Sequence, residues 1–222
     1  MIWDWIPRNS DRILDLTGTH LALALIPVVL GLALAIPLGW LASRSRLARN
    51  VLIPAGGVLY TIPSLALLVV LPSILGTKIL NPVNLVVALT IYTVALLIRS
   101  VADALSAVPQ HVTDAATAMG YRAPRRFAAV ELPLAVPVLV AGLRVATVSN
   151  VSLVSVGALI GVGGLGELFT EGFQRSFSTE IITGIGLIVV LALLADGLLL
   201  VAGRVLTPWA RVGAMAAARG PA

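Results

Sequence analysis

Hydrophobic residues along this chain occur in long continuous runs, not in an alternating pattern. Five runs stand out, at about residues 19–42, 51–72, 83–101, 133–160 and 180–206. A helix needs roughly 20 apolar residues to cross a hydrocarbon core of about 30 Å, whereas strands of a membrane barrel alternate. The pattern therefore predicts an all-α integral membrane domain with five transmembrane helices over 19–206, between an external segment 1–18 and a tail 207–222.

Composition supports a lipid environment. Of 222 residues, 59% are hydrophobic and 11% are charged, against about 25% charged residues in soluble domains. The absence of cysteine excludes a disulfide framework and a thiolate metal site. The first run is longer than a signal-peptide core of about 7–15 residues, so we interpret it as a retained helix.

The positive charges are distributed unevenly between the predicted loops. One side of the membrane would carry ten arginines and the other side six acids, and an arginine excess marks the cytoplasmic face. We therefore predict an external N-terminus and a cytoplasmic C-terminus, which an odd number of spans requires. The ten are Arg44, Arg46, Arg49, Arg99, Arg122, Arg125, Arg126, Arg204, Arg211 and Arg219.

The predicted cytoplasmic loop 102–132 is polar but regular. Pro109 suits the first turn of a short alanine-rich helix, and Gly120 suits the position just after its end. A second short helix follows another proline. Ala115 and Ala116 leave room for a partner to approach closely. The same features also fit an ordinary amphipathic helix on the membrane surface.

The spacing within this loop resembles the EAA motif of ABC-importer permeases, EAA-x3-G-x9-I-x-LP, with Asp for Glu and Val for Ile. In that family the loop forms coupling helices that dock in a groove of the ATPase subunit. The resemblance thus implies a set of ATPase-coupling residues in this chain: Asp114, Ala115, Ala116, Gly120, Tyr121, Leu132 and Pro133.

The resemblance extends over about residues 19–206 and implies the methionine-permease-like fold. Residues 60–76 resemble osmoprotectant permeases, and residues 161–169 resemble the outer loop of many such permeases. It implies a permease subunit that imports glycine betaine, choline or carnitine across a prokaryotic plasma membrane. Methionine or another amino acid is the alternative substrate, and a membrane scaffold or intramembrane enzyme is a more remote alternative.

The implied partners are two ABC ATPase subunits, a second permease subunit of the same or a different chain, and an external binding protein. ATP and Mg would be bound by the ATPase, with no cofactor on this chain, which has no Walker A sequence. We expect no enzymatic activity of its own and no nucleic-acid binding, because the basic residues are accounted for by membrane topology.

Several polar residues lie inside the predicted spans and are candidates for the pathway or its gate. Arg144 and Asp196 lie at similar depths, so we expect them to pair, either as a gating pair or as a static link between spans four and five. Pro63 frees a backbone carbonyl, which marks either a simple kink or a lining segment. The full set is Thr61, Pro63, Ser64, Arg144, Ser152, Ser155 and Asp196.

The stretch "GVGGLG" matches the dinucleotide pattern G-x-G-x-x-G, but no strand precedes it, and the pattern requires one. We interpret Gly161, Gly163, Gly164 and Gly166 as a tight outer turn. Phe169, Phe173 and Phe177 then recur every four residues and predict a short amphipathic helix. Their rings would serve packing or, as an alternative, a cage for a quaternary ammonium group.

Overall fold

The computed structural model describes residues 2–209, which form ten α-helices and contain no strand. Arg211 and Arg219, and most of the predicted tail, lie outside the described residues. A π-helical turn at Phe127–Glu131 and a 3-10 turn at Ala158–Ile160 adjoin α8. The helices are α1 Trp5–Arg8, α2 Ser10–Arg44, α3 Arg46–Thr61, α4 Ser64–Leu75, α5 Pro82–Ser106, α6 Gln110–Ala118, α7 Ala123–Arg126, α8 Leu132–Gly157, α9 Glu167–Gln174 and α10 Ser178–Leu206.

Four helical segments are long and apolar enough to cross a membrane, namely α2, α5, the continuous segment 123–160, and α10. A fifth crossing is possible if α3 and α4 are counted together. The first segment starts at Ser10 rather than near residue 19. The second short helix predicted in the loop is continuous with α8, because the helical backbone passes through residues 127–131 without interruption.

The second predicted span is not one continuous helix. α3 and α4 meet at 102°, and the break lies at Ile62 and Pro63. The cause is local, because proline has no N–H to bond to the preceding turn and its ring clashes with that turn. The predicted second span therefore consists of two helices and not of one, and they are separated at Pro63, where a kink is one of the two predicted alternatives.

The α3–α4 pair nevertheless connects the two ends of α5. Near the start of α3, Arg49 donates to Asp103 at 2.6 Å, close to the C-terminus of α5. Just after α4, Thr77 bonds with Asn84 at 2.5 Å, close to the N-terminus of α5. The bent pair thus covers the same distance as one full-length helix.

The central helix of the bundle is α5. It packs against α2, α3, α4 and α8. Of the residues in its most apolar stretch, 56% are buried, whereas none is buried in the most apolar stretch of α10, which lies at the periphery. Glycines on three neighbours face it without room for a Cβ atom. They include Gly31 and Gly39 of α2, Gly56 of α3, and Gly142 of α8. Small residues of this kind let membrane helices approach closely.

The α3–α5 contact can be tested with two adjacent glycines. A Cβ on Gly56 would lie 2.9 Å from the carbonyl oxygen of Ala95, whereas a Cβ on Gly57 would have nothing within 4 Å. Because the neighbour is backbone, we expect Gly56→Ala to lower the free energy of unfolding by about 1–3 kcal/mol. Gly57→Ala carries the same change in helix propensity, so equal stability of the two variants in detergent would contradict this packing.

Candidate functional site: the α6 loop, the broken helix and the glycine turn

The loop between α5 and α8 presents α6 at one end of the bundle. α6 ends in a Schellman motif, in which Tyr121 N–H donates to Ala116 O at 3.1 Å and Gly120 N–H donates to Thr117 O at 2.9 Å. Gly120 has φ +84°, a conformation that favours glycine. The predicted helix with Gly120 just after its end is confirmed.

The residues of the predicted coupling set divide into a buried and an exposed group. Ala116 is buried at 1% exposure and faces the bundle, whereas Asp114, Ala115 and Gly120 are exposed. The exposed group lies on the side of α6 that is free to meet a partner. The centroid of the Tyr121 ring lies 5.0 Å from Arg125 Cζ. Leu132 and Pro133 are half-buried at the start of α8. Met119, next to Gly120, is 70% exposed.

A buried carboxylate, Glu131, holds this loop against the bundle. Glu131 is 3% exposed and accepts from Arg44 Nη2 at 2.5 Å and from Arg126 Nε at 2.8 Å. Arg126 also donates to Thr117 of α6 at 2.6 Å. The connection therefore runs from α2 through Glu131 and Arg126 to α6, and we call it the Glu131 clamp.

Sequence reasoning missed Glu131, although a signal was present. It is an acid at the entrance to a span, next to a cluster of arginines, and a buried charge requires a partner. A polar cavity of about 450 Å³ lies beside the clamp, between α6 and the ends of α2 and α5. Asp114 lines this cavity together with Arg44 and Gln110, so Asp114 lies close to the clamp but makes no bond within it.

Removing the carboxylate of Glu131 should release α6. In Glu131→Gln, Arg44 and Arg126 would keep their charges beside a neutral amide. We expect a loss of unfolding free energy of about 3 kcal/mol, the low end for a broken buried pair, because Arg44 is one-third exposed. Chemical unfolding and limited proteolysis of the loop are the measurements.

Asp103→Asn is the matched control, because it breaks the exposed Arg49–Asp103 pair at the same end of the bundle. Exposed pairs contribute about 0–1 kcal/mol. An equally small loss in both variants, with unchanged protease sensitivity, would show that Glu131 does not hold the loop.

Arg144 and Asp196 form the bidentate pair that their depths predict. Arg144 Nε and Nη2 donate to the two carboxylate oxygens of Asp196, both at 2.7 Å. The pair joins α8 to α10, and about a third of each side chain is exposed. The geometry is compatible with the gating and the static interpretation alike.

The pair can be assigned by measuring assembly and transport separately. We expect Asp196→Asn to lower the thermal stability of the chain, because Arg144 would lose the bidentate acceptor that ties α8 to α10. Transport per assembled complex should be retained if the pair is a static link. Normal assembly with lost transport would assign the pair to the gate.

The remaining pathway candidates do not share one site with this pair. Thr61, Pro63 and Ser64 lie at the break between α3 and α4, where Thr61 Oγ1 donates to Val58 O at 2.7 Å. Ser152 is on the exposed face of α8. Ser155 borders the glycine turn, because a Cβ on Gly166 would lie 2.9 Å from its Cα.

A small cavity, which we call the break cleft, lies at the break between α3 and α4. It has a volume of about 190 Å³ and is lined by Tyr60, Ile62, Ser64, Tyr92 and Leu153. Leu153 is nine residues beyond Arg144, so at about 100° per residue the two lie on opposite sides of α8. The break cleft and the Arg144–Asp196 pair are therefore separate features.

The glycine turn at residues 161–166 lies at the opposite end of α8 from the α6 loop. Gly161 and Gly164 have φ +77° and +101°, which only glycine adopts easily. The turn connects the fourth apolar segment to α9, as predicted, and no strand precedes it among the described residues. It therefore lacks the context of a dinucleotide site.

Sequence reasoning gave His20 no role, but it anchors the glycine turn. It is fully buried, and its Nδ1 accepts from Leu165 N–H at 3.2 Å. Nε2 must then carry the proton, and it donates to Val151 O at 2.8 Å. A Cβ on Gly164 would lie 3.3 Å from His20 Cα, so the imidazole joins α2, α8 and the turn.

The prediction that Phe169, Phe173 and Phe177 lie on one short helix is only partly correct. Phe169 and Phe173 lie on α9, but Phe177 lies beyond its end, because the chain turns at Arg175–Phe177 before α10 begins. Phe177 instead packs edge-on against Trp5, with ring centroids 5.8 Å apart. Phe173 is 80% exposed. The three rings therefore do not form one face.

Residues 20–209 match the family described as "Binding-protein-dependent transport system inner membrane component". The chain belongs to this family. It is accordingly a multi-pass membrane protein and a transport component of the permease class, whose members work with a binding protein.

Similar proteins cover nearly the whole chain. The glycine betaine/carnitine/choline transport system permease protein OpuCB of Bacillus subtilis is 31% identical over 204 residues, which are 92% of this chain and 93% of that protein. The osmoprotectant import permease protein OsmW of Salmonella typhimurium is 34% identical over 203 residues, or 90% and 94%. A structure of the inward-facing MetNI methionine ABC transporter has a TM-score of 0.76 at 25% identity, covering 88% of this chain and 96% of that one.

Proposed function

We propose that this chain is the membrane-spanning subunit of an ABC importer for small quaternary ammonium osmoprotectants such as glycine betaine, choline or carnitine. A pair of permease subunits, alike or different, would enclose the pathway. Two ATPase subunits would bind ATP and Mg and dock on the α6 loop, and an external binding protein would deliver the substrate at the glycine-turn end.

The observation that carries the proposal is the α6 loop within a chain of this family. α6 is capped by Gly120 and held to the bundle by the Glu131 clamp. Its outer side, with Asp114 and Ala115, is exposed. A helix with these properties suits the transmission of movement, because a displacement of α6 is passed to α2 and α8 instead of being lost in a slack loop.

Five crossings with an external N-terminus agree with these contacts. The bent pair α3–α4 connects the two ends of α5, so it acts as one crossing. The chain then starts and ends on opposite sides of the membrane. The described arginines at the α6 end, including Arg46 and Arg122, favour a cytoplasmic location for that end.

The substrate class rests on the relatives. Permeases that match 92% and 90% of this chain, at 31% and 34% identity, carry names for osmoprotectant transport. The methionine transporter shares the fold at 25% identity, so methionine is the second candidate. The break cleft is lined by aromatic rings and by no formally charged residue, which suits a quaternary ammonium group better than the free ammonium group of an amino acid.

Transport by the reconstituted complex tests both candidates. The chain would be co-expressed with the ATPase and binding protein from its own gene neighbourhood and placed in proteoliposomes. We expect ATP-dependent accumulation of labelled glycine betaine, choline or carnitine, and none with a non-hydrolysable ATP analogue. Labelled methionine should not accumulate.

Two results would contradict the proposal in different ways. Accumulation of methionine without any quaternary ammonium compound would retain the importer and change the substrate. Failure of any ATPase to copurify with the chain, and the absence of ATP-dependent uptake, would favour a scaffold or an intramembrane enzyme.

A further inference from the structure

The break cleft lies at the side of the bundle, about halfway along α5, at a level that the transported molecule must pass. Tyr92 is ten residues into α5, which places it about 15 Å from the helix start, close to the middle of a core of about 30 Å. Tyr60 and Ile62 are exposed, so the break cleft opens to the outside of the chain. Broken helices at mid-membrane depth are where transporters commonly place substrate sites.

Two tyrosine rings form one wall of the break cleft. Tyr60 and Tyr92 contact edge to face, with centroids 5.8 Å apart and planes at 84°. Tyr92 is 4% exposed and its hydroxyl donates to Ile62 O at 2.6 Å, so this ring is fixed in place. Tyr60 is 46% exposed and offers its ring surface to a ligand. The negative face of such a ring attracts cations.

The end of α3 adds further electron-rich groups. The carbonyls of a last helical turn have no partner within the helix. The negative end of the α3 dipole is opposed here by the positive end of the α4 dipole, because α4 begins at Ser64, so the helix dipoles add no net attraction for a cation. Two of these carbonyls are satisfied locally, Val58 O by Thr61 Oγ1 and Leu59 O by the Ile62 amide. Ile62 O, just beyond the helix, accepts from Tyr92.

The residues that line the break cleft carry no formal charge. A metal ion or a primary ammonium group would require several oxygen ligands or hydrogen-bond acceptors in exchange for its water. A quaternary ammonium group donates no hydrogen bond and is recognised through aromatic faces. Attraction without a full counter-charge also keeps binding weak enough for release, which conduction through a membrane pathway requires.

We propose that the break cleft is a substrate subsite that receives the quaternary ammonium head of the transported molecule against Tyr60 and Tyr92. The inference rests on the proposed function and assigns the recognition to particular residues of the permease. Tyr60 supplies the accessible ring, whereas Tyr92 holds the helix break open by its bond to Ile62.

Binding to the permease alone is the sharpest test, because uptake also depends on the binding protein. The purified chain in nanodiscs would be titrated with radiolabelled choline. 3,3-Dimethyl-1-butanol, the uncharged isostere of choline, would be the competitor, and tetramethylammonium a second one. We expect saturable choline binding that tetramethylammonium displaces and the isostere does not.

Substitutions then locate the site. Tyr60→Phe keeps the ring and should bind choline like the unaltered chain. Tyr60→Leu removes the ring and should weaken binding about 5- to 30-fold, the range for one desolvated cation–π contact. Trp209→Leu is the control, since it removes an exposed ring that does not line the break cleft and should leave binding unchanged. Circular dichroism and thermal unfolding check that the variants are folded.

The outcomes separate this inference from the proposed function. Choline import by the complete complex, together with equal binding by Tyr60→Leu and the unaltered chain, overturns the subsite and leaves the importer intact. Undetectable binding of choline to the unaltered chain, or equal competition by the isostere, also overturns it. Import of methionine alone overturns the substrate class and the subsite together.

Discussion

Three helices, α2, α3 and α8, approach α5 closely, and the positions of the other elements follow from these contacts. Within lipid the hydrophobic effect does not drive helices together, so contact depends on packing and on hydrogen bonds between helices. Side chains at these contacts would hold α2, α3 and α8 away from α5, and glycine occupies the positions instead: Gly31, Gly39, Gly56 and Gly142. Thr93 of α5 then reaches Asn150 of α8 at 2.9 Å.

The same helix makes the break between α3 and α4 tolerable. A backbone carbonyl without a partner costs several kcal/mol in a membrane. Pro63 cannot donate to the carbonyl of Leu59, four residues earlier, and the Ile62 amide donates to that oxygen instead. The carbonyl of Ile62 lies just beyond the end of α3 and accepts from the Tyr92 hydroxyl. A proline that would merely weaken an isolated helix thus becomes a fixed bend, and a cleft lies at this bend beside Tyr92.

Buried polar side chains secure the two ends of the bundle in comparable ways. At one end Glu131 binds Arg44 and Arg126, and at the other His20 binds Val151 and the amide of Leu165. Each residue joins a short connecting segment to two long helices. The proposed docking faces for the ATPase and the binding protein are therefore attached to the same rigid elements, α2 and α8, which suits the passage of movement from one face to the other.

Features that are local along the chain could be predicted from the sequence. Apolar runs predicted the membrane-crossing segments, Gly120 predicted the end of α6, and similar depth predicted the Arg144–Asp196 pair, which the structure confirms. Contacts between residues that are distant in sequence could not be predicted and are known from the fold. Arg44 and Glu131 are 87 positions apart, and His20 and Val151 are 131 apart. Hydrophobic periodicity reports which face of a helix is apolar, whereas the partner of that face, and the angle of the bend at Pro63, depend on how helices pack around α5.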